Sequence, residues 1–349
     1  MCNNNGTLDS NESVDINVNL DINRKFRNQL LVTVLSTSGL LGVSSCLTVS
    51  ILVWCIFCAV VYWGKIDRLP SHRIEKFLEN EENGPAIIGH RGGANEAPEN
   101  TIAALLEAKK NGAYAVEVDI GVTKDEVAIL LHDWTVDRTT DGEGKISEMT
   151  LEEAERLNAA ANFSNRSQFP SEKIPTLEEC VIKCLELDLK IYFDVKDFSD
   201  KTVSILIDIY ERYPRLMETA IVCSFIPSVI YKVRLRNPEI LTALTTSPRF
   251  FQTEVKKMKI PLKEWISPIS YVMDSIMVWS MFNWLWYLCG NSAILLNKDF
   301  ISRSVLDHWN ACGIHVVPWT VNDPGDKVYF TESLKLAIIT DCVLSSVDE

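Results

Sequence analysis

The sequence is poor in positive charge and has no basic stripe. Its 349 residues include 34 lysines and arginines against 47 aspartates and glutamates, a formal net charge of −13, so nucleic acid is not an expected partner. The ten cysteines are too dispersed for a disulfide-scaffolded miniprotein or a zinc ribbon. Neither a GxGxxG nor a GxxxxGK[ST] motif occurs, which disfavours nucleotide-binding folds. Because 47% of the residues are hydrophobic, the chain can bury a core and is not disordered.

Charge is absent altogether from one long run, between Asn28 and Gly64. Its most apolar part, 41–63, is long enough to cross the hydrocarbon core of a bilayer, which needs about 20 residues. A cleaved signal peptide is the alternative, but the apolar part begins too far from the start and runs too long. The run therefore predicts a polar tail and flank over 1–40, a transmembrane anchor over 41–63 and a linker over 64–85.

Such an anchor predicts an integral protein of an endomembrane or of the plasma membrane. Basic residues flank the anchor almost equally, so the positive-inside rule does not set its orientation. Glycosylation sequons also lie on both sides of it. With the catalytic domain on the lumenal or extracellular side, the predicted glycan acceptors are Asn162 and Asn165.

Short apolar runs alternate with helical stretches after the linker. The nine candidate strands are Ala86–Gly89, Ala115–Ile120, Val127–Leu131, Leu189–Val195, Ala220–Phe225, Ile240–Leu244, Ala293–Leu296, His315–Val321 and Leu336–Ile339. Strand and helix in repeated alternation predict a parallel sheet with right-handed crossovers. An open doubly wound sheet is the alternative, but 86–349 has the length and strand number of an eight-stranded barrel. We therefore expect an α/β fold, a (β/α)8 TIM barrel over 86–349 that follows the transmembrane helix.

Two helix starts are also predicted. Asn100 is a plausible cap for a helix over 101–110, and Thr176-Leu-Glu-Glu179 has the pattern of a capping box. Both helices would follow candidate strands, as a β/α barrel requires.

One apolar stretch, 266–290, interrupts the barrel pattern. It carries a single charge, Asp274, and could be a second membrane helix. A crossing there would separate Trp319 from His90 across the membrane and prevent the barrel from closing. We interpret the stretch as an inserted helix or hairpin that packs on the barrel or dips into one leaflet. Beside an active-site mouth it would suit lipid substrates.

Polar residues follow the first two strands, at the face where β/α barrels place their active sites. His90 and Arg91 lie between glycines, which allow close approach of the backbone, and arginine can hold a phosphate through two hydrogen bonds. Glu117 and Asp119 are two residues apart and project from one face of a strand. Such a carboxylate pair suits a hard cation, Mg²⁺ or Ca²⁺.

Other strands end in the same way. His132 follows the third, Asp194 and Lys196 end the fourth, and Trp319 lies in the eighth. Each alone has an ordinary explanation, because strand-end histidines and carboxylates are usually structural or solvated and tryptophan usually packs. Their conjunction at one face of a barrel favours an active site.

In order along the chain, these motifs resemble those of the glycerophosphodiester phosphodiesterase family. The motifs are His90-Arg91-Gly92, Pro98-Glu99-Asn100-Thr101, Glu117-x-Asp119, Leu131-His132-Asp133, Arg138-Thr139-Thr140-Asp141-Gly142, Asp194-Val195-Lys196 and Trp319-Thr320-Val321-Asn322. The resemblance implies metal-dependent hydrolysis of glycerophosphodiesters to glycerol 3-phosphate or lysophosphatidic acid and an alcohol. Glycerophosphoinositol is an expected substrate, with lysophospholipids and N-acyl-glycerophosphoethanolamine as further ones.

The resemblance also implies a role for each residue. Three carboxylates would bind the metal, Mg²⁺ or else Ca²⁺: Glu117, Asp119 and Asp194. Many relatives have glutamate at the third position, so the shorter aspartate reaches less far. The general acid and base would be His90 and His132. Phosphate oxygens and the glycerol face would contact Arg91, Lys196 and Trp319.

Two other functions stay open at this point. A phospholipase C-like phosphodiesterase on the same barrel would share the paired histidines, and a catalytically silent membrane scaffold would use the barrel for binding only. The pair Glu117 and Asp119 favours the first interpretation, and the complete polar set disfavours a scaffold. Residues 66–349 carry 30 basic and 43 acidic side chains, hence the whole net charge. An acidic domain that acts on an anionic substrate needs a bound cation, which strengthens the expectation of a metal.

Overall fold

The computed structural model describes residues 43–80, 84–257 and 263–344. They belong to two compact units, of which the second begins at Lys65. The described part of the first unit is a single helix, α1 (Val43–Gly64).

Helix α1 coincides with the segment 41–63 for which a membrane anchor is predicted. Within the part of the chain that the structure describes, no helix combines the length and the apolarity that a bilayer crossing requires. The transmembrane anchor is therefore not confirmed. The polar tail predicted over 1–40 lies outside the described residues.

The second unit is built around a nine-stranded sheet. Its strands are β1 (Ile87–Gly89), β2 (Ala115–Val122), β3 (Ala128–Leu130), β4 (Lys190–Val195), β5 (Ala220–Ser224), β6 (Thr242–Thr246), β7 (Ala293–Asn297), β8 (His315–Trp319) and β9 (Ile338–Thr340). Eight of them pair in parallel in the order β8-β7-β6-β5-β4-β2-β1-β9. The Val321 amide donates to the Ile339 carbonyl oxygen at 2.8 Å between the two outer strands, so the barrel is nearly closed. The predicted (β/α)8 barrel fold is confirmed.

Every predicted apolar run overlaps a strand, but the third is not a barrel strand. Strand β3 turns back and pairs antiparallel with β2, with Leu130 opposite Ile120. The prediction that His132 follows a parallel strand is wrong for this reason. The sequence could not reveal the reversal, because an apolar run has the same pattern in either direction.

Helices occupy most of the connections. They are α2 (Ser71–Leu78), α3 (Ile102–Lys110), α4 (Leu151–Glu155), α5 (Leu177–Leu187), α6 (Asp200–Arg212), α7 (Leu216–Thr219), α8 (Pro227–Arg236), α9 (Phe250–Lys257), α10 (Lys263–Ser280), α11 (Trp286–Cys289), α12 (Arg303–Ala311) and α13 (Pro324–Val328). The capping box at Thr176 and Glu179 is present at the start of α5. The cap of α3 is Thr101, whose hydroxyl accepts from the Ala104 amide, and the prediction of Asn100 as the cap is wrong.

The segment predicted as a linker, 64–85, contains helix α2. Ile74 and Phe77 of this helix are buried among side chains from the starts of the barrel strands. The Phe77 ring lies 5.3 Å from the ring of Tyr192, which points into the barrel. Helix α2 therefore closes the end of the barrel opposite the carboxyl ends of the strands.

The interior of the barrel changes from apolar to charged along each strand. On β2 the inward side chains are Ala115, Glu117 and Asp119, all buried. The register places Asp119 beside Asp194 of the neighbouring strand β4. Successive inward positions are two residues apart, so the apolar layer below holds the carboxylates at the mouth above it.

The apolar insertion predicted near 266–290 lies on α10 and α11, between β6 and β7. A π-helical turn, Met281–Leu285, joins the two helices. From Val278 to Cys289 the buried side chains of this segment belong to the main hydrophobic core around the barrel.

Candidate active site

Three buried carboxylates form the centre of the site. Glu117 and Asp119 come from β2 and Asp194 from β4, and each offers an oxygen within 4.8 Å of the others. One oxygen, Asp194 Oδ1, is buried without any hydrogen-bond partner. A buried acceptor left unpaired costs free energy, so such an atom calls for a ligand.

The electrostatics of these carboxylates favour a bound cation. Burial and the neighbouring charge of Asp119 raise the pKa of Glu117 to about 8. Burial also raises the pKa of Asp194, although Lys196 opposes the shift. Oxygen donors of this kind suit a hard divalent cation, which would stabilise the ionised carboxylates. The three side chains therefore fit a metal ion.

Asp119 is the carboxylate that stays ionised. Burial alone would raise its pKa, but Lys196, His132 and Arg91 hold it well below the usual range. The Lys196 ammonium lies 2.9 Å from Asp119 Oδ1 and 3.1 Å from Asp194 Oδ2. Lys196 thus joins two of the three carboxylates, and the pKa of its ammonium is raised although it is buried.

Asn100 fixes the orientation of Asp119. Its amide nitrogen donates to Asp119 Oδ2 at 2.8 Å, and its amide oxygen accepts from the Asp119 backbone N–H at 3.0 Å. Asn100 has a positive φ of 58°, a conformation that asparagine tolerates better than most residues. This double contact explains why Asn100 does not cap α3.

Arg91 lies on a tight turn that directly follows β1. Its φ of 53° is in the left-handed region. The turn directs the Arg91 amide to Glu117 Oε2 at 2.9 Å, and the guanidinium to Glu99 Oε1 at 3.0 Å. Gly92 follows with φ 82°, and a Cβ there would lie 2.7 Å from the Cβ of Ala104. Only glycine fits at this position, because helix α3 approaches the turn so closely.

His90 is held by a carboxylate from the other end of the chain. Its Nδ1 lies 2.5 Å from Asp341 Oδ1, directly after β9, and its Nε2 lies 3.9 Å from Glu117 Oε2. Asn322 in turn donates to Asp341 Oδ2 at 2.6 Å. Burial alone would lower the pKa of His90, but Asp341 and Glu117 outweigh it and raise the pKa above its ordinary value.

His132 is held by its own neighbour. Its Nδ1 lies 2.6 Å from Asp133 Oδ1, and Arg138 contacts Asp133 and Glu99 in turn. Burial lowers the pKa of His132, and this effect exceeds the opposing influence of Asp133 and Asp119. The backward turn of β3 brings the imidazole to the mouth, since the Leu131 amide donates to the Asp119 carbonyl oxygen at 3.1 Å.

Trp319 is the last residue of β8, at the mouth of the barrel. Its ring meets Phe225 edge-on, with ring centroids 5.5 Å apart, and Phe225 stacks on Phe250 at 4.8 Å. The indole N–H is buried without a hydrogen-bond partner. Aromatic surface therefore continues from the mouth to helix α9.

The predicted glycan acceptors lie elsewhere, in an exposed loop after α4. The Asn162 amide nitrogen donates to three backbone carbonyls, those of Asp137, Arg138 and Thr140. The amide nitrogen of Asn165 contacts only the side chain of Gln168 in this loop. Glycosylation of these residues stays a prediction.

The structure thus brings together seven of the residues predicted for catalysis, metal and substrate, and places the eighth, Trp319, at the end of β8 against Phe225. It adds partners that the sequence analysis did not assign: Glu99, Asn100, Asp133, Arg138 and Asp341. Asp341 directly follows the last strand, as His90 follows the first, so that signal was present in the sequence. No local pattern links Arg138 to Glu99.

The fold and the site together define a phosphodiesterase on a (β/α)8 barrel. Buried carboxylates, two carboxylate-bound imidazoles and two cationic side chains are the groups that cleavage of a phosphodiester requires. The family model described as the glycerophosphoryl diester phosphodiesterase family matches residues 90–345. The chain belongs to this family and is an enzyme.

Relatives support the assignment over most of the chain. The chain is 43% identical over 318 residues to a Mus musculus protein named Glycerophosphodiester phosphodiesterase 1. The aligned residues cover 88% of this chain and 96% of that protein. The Homo sapiens protein of the same name is 45% identical over 283 residues, 81% of this chain and 85% of that protein.

Solved structures support the fold. An Oleispira antarctica phosphodiesterase, solved with the product sn-glycerol-3-phosphate, superposes with a TM-score of 0.59 at 21% identity and covers 76% of this chain and 98% of that one. A glycerophosphodiester phosphodiesterase from Agrobacterium tumefaciens gives a TM-score of 0.57 at 20% identity over 75% of this chain and 99% of that one.

Proposed function

We propose that the protein hydrolyses glycerophosphodiesters to glycerol 3-phosphate and an alcohol in a metal-dependent reaction. The observation that carries this proposal is the carboxylate triad with two imidazoles beside it, those of His90 and His132. The names of the relatives and the glycerol 3-phosphate in the Oleispira antarctica structure support this substrate class.

Glu117, Asp119 and Asp194 would hold the metal ion, for which we propose Mg²⁺, with Ca²⁺ as the alternative. Three carboxylates and a free oxygen, Asp194 Oδ1, offer the hard donors that both ions prefer. When bound, the cation would neutralise phosphate charge and polarise a P–O bond.

Arg91 and Lys196 would hold the phosphate oxygens. Both cations already lie among carboxylates, so they are fixed before the substrate binds. The guanidinium keeps its Nε buried without a hydrogen-bond partner, 3.6 Å from Asp119 Oδ2. Guanidinium and ammonium groups are the donors that bind phosphate oxygens most strongly.

His90 and His132 would transfer the protons. One imidazole takes a proton from the attacking hydroxyl as its oxygen bonds to phosphorus, and the other gives a proton to the alcohol oxygen as its bond to phosphorus breaks. The attacking hydroxyl is that of water or the neighbouring hydroxyl of the glycerol itself. Asp341 and Asp133 fix the two rings through Nδ1, which leaves each Nε2 for the substrate.

Trp319 would pack on the glycerol face. The aromatic surface formed by Trp319, Phe225 and Phe250 continues beyond it and offers room for an apolar group on the substrate. Besides glycerophosphoinositol, we therefore propose lysophospholipids and N-acyl-glycerophosphoethanolamine as substrates, with lysophosphatidic acid as a product.

The test is release of glycerol 3-phosphate from glycerophosphoinositol by the purified full chain, with Mg²⁺, with Ca²⁺ and with a chelator. We expect activity that the chelator abolishes and the metal restores. Release of a phosphorylated alcohol and free glycerol would identify phospholipase C-like cleavage and contradict the proposal. Asp208→Asn, an exposed substitution on α6, is the matched control for loss of a carboxylate.

We also propose that the enzyme acts at an endomembrane or the plasma membrane, with its catalytic unit on the lumenal or extracellular side. The uncharged run 28–64 and the exposed apolar side chains of α1, such as Trp54 and Trp63, support membrane association. An endoglycosidase shift lost in Asn165→Gln would place the catalytic unit in the lumen. Absence of the shift in the full chain from secretory cells would contradict that orientation.

A further inference from the structure

Helix α10 and its continuation are longer than the barrel requires. From Lys263 to Cys289 the helical path has 18, 5 and 4 residues in its three parts, about 40 Å in all. The next strand, β7, has 5 residues and spans about 17 Å. Because the path ends at Gly290, just before β7 begins, the surplus projects beyond the carboxyl ends of the strands. This is the side on which the active site lies.

The projecting part is covered on its inner face by helix α9. Both oxygens of the buried Asp274 accept hydrogen bonds at the start of α9, from the Phe251 amide at 2.7 Å and the Gln252 amide at 3.1 Å. Ser270, one turn earlier, is also buried. Helices α9 and α10 therefore form a fixed pair above the barrel, which we call the rim pair.

The outer face of α10 is an exposed apolar stripe. Its members are Trp265, Ile269, Val272, Met273 and Ile276, with exposed fractions of 80%, 57%, 53%, 43% and 57%. Their spacing of three and four residues places them on one side of the helix. An apolar stripe this contiguous on a protein surface marks a contact with another apolar phase.

The charge of the segment indicates a lipid surface as that phase. Residues 247–290 include five basic and three acidic side chains, in a chain whose net charge is −13. Arg249 and Lys256, on or beside α9, are exposed. An excess of basic side chains in a segment that also carries an exposed apolar stripe and a tryptophan is typical of segments that lie in the interface of an anionic bilayer.

Helix α9, which packs against α10, is joined to the active site by aromatic contacts. Phe250 and Phe251 at the start of α9 pack on each other with ring centroids 5.2 Å apart, and Phe250 stacks on Phe225, which meets Trp319. A lipid surface against α10 would therefore lie next to an aromatic path that leads to the mouth.

We propose that the apolar stripe of the rim pair docks on an anionic bilayer surface and presents the active-site mouth to lipid-borne glycerophosphodiesters. The inference rests on the proposed function, since it concerns how a substrate of that site is reached. Helix α1 stays unchanged in every comparison below.

The kinetic test compares two substrates and two double variants in the full chain. Ile269→Glu with Ile276→Glu alters the stripe, and Ile182→Glu with Leu235→Glu is the matched control on exposed positions of α5 and α8. Glycerophosphoinositol in solution and lysophosphatidylcholine in vesicles of phosphatidylcholine and phosphatidylserine are the substrates. We expect the rate of the stripe variant to fall about tenfold on vesicles and less than about twofold in solution. Each isoleucine that enters the bilayer contributes strongly to interfacial binding.

The other outcomes would overturn the inference. Equal vesicle rates for the stripe variant and the wild type would exclude docking through this face. Loss on both substrates in the stripe variant alone would mean that the rim pair supports the site itself. Conversion of a dimer into a monomer by the stripe variant would identify the face as a contact between two copies. If the wild type did not cleave glycerophosphoinositol, the proposed function would fail instead.

A second measurement detects the contact without any activity. In vesicles whose acyl chains carry bromine, we expect tryptophan fluorescence to be quenched less in Trp265→Phe than in the wild type, because Trp265 enters the interface. The tryptophans of α1 are the same in both proteins and cancel in the difference. Equal quenching of the two proteins would contradict the docking.

Discussion

Substitution of Asp341 by asparagine tests whether the carboxylate partner of His90 is part of the catalytic apparatus. Asp341 Oδ1 lies 2.5 Å from His90 Nδ1, and Asn322 fixes the other oxygen at 2.6 Å. Both the imidazole and the carboxylate are mostly buried, at 18% and 21% side-chain exposure, so solvent does little to screen the pair. An amide at this position keeps the shape but removes the charge.

The expected effect follows from that contact. A hydrogen bond to a charged group is worth about 1.5–3 kcal/mol, which corresponds to a decrease in kcat of about ten- to a hundredfold. Asp341 raises the pKa of His90, so its loss lowers that pKa. The limb of the pH–rate profile that belongs to His90 should therefore move to lower pH, because the imidazole then loses its proton at lower pH.

The assay is steady-state release of glycerol 3-phosphate by the Asp341→Asn variant across the pH range, with Asp208→Asn as the control on an exposed helix. KM should change little, because the side-chain contacts of Asp341 are with His90 and Asn322. Wild-type kcat with an unshifted profile would refute the reasoning. An increase in KM at constant kcat would indicate that Asp341 shapes the binding site only.

Further substitutions separate catalysis from stability. His90→Ala and His132→Ala should each abolish hydrolysis and leave the melting temperature nearly unchanged, and near-normal activity of either would contradict the acid–base roles. Glu117→Gln should abolish metal-dependent activity but stabilise the metal-free protein at neutral pH. The pKa of Glu117 is raised in the folded protein, so its contribution to stability is lost as the pH rises through that pKa, and glutamine does not ionise. Calorimetry with a chelator measures this, and a destabilised variant would count against it. Gly92→Ala should lower the free energy of unfolding by roughly 2–4 kcal/mol, since its Cβ would clash with Ala104 at a positive φ, and an unchanged denaturation midpoint would show that α3 can shift.

The strands could be predicted from the sequence because each is a short apolar run between polar segments. The capping box at Thr176 was predictable for a similar reason, since it depends only on residues three apart. Asn100 was wrongly predicted as a cap because the local sequence is compatible with two roles of its side chain. It could cap a helix or bind a distant group, and the buried Asp119 on β2 decides between them.

Contacts between distant segments could not be predicted in the same way. His90 and Asp341 are 251 residues apart, and only the parallel pairing of β1 with β9 brings them together. The antiparallel direction of β3 could not be predicted either, because the hydrophobic pattern of a strand is the same in both directions. The site residues that were predicted share one property: each follows a strand or lies within one and faces the mouth of the barrel, where β/α barrels place their active sites.

The reversal of β3 has a consequence for how activity is lost on heating. His132 and Arg138 lie on the excursion between β2 and β4, which buries a small hydrophobic cluster of its own, including Ile129, Val136 and Ile174, apart from the main core. A segment with a separate core can open as an independent cooperative unit. Opening of this excursion would withdraw one imidazole while the barrel stays folded. On heating, loss of activity should therefore precede global unfolding. Hydrogen exchange of the amides in 128–174 should increase before that of the barrel strands.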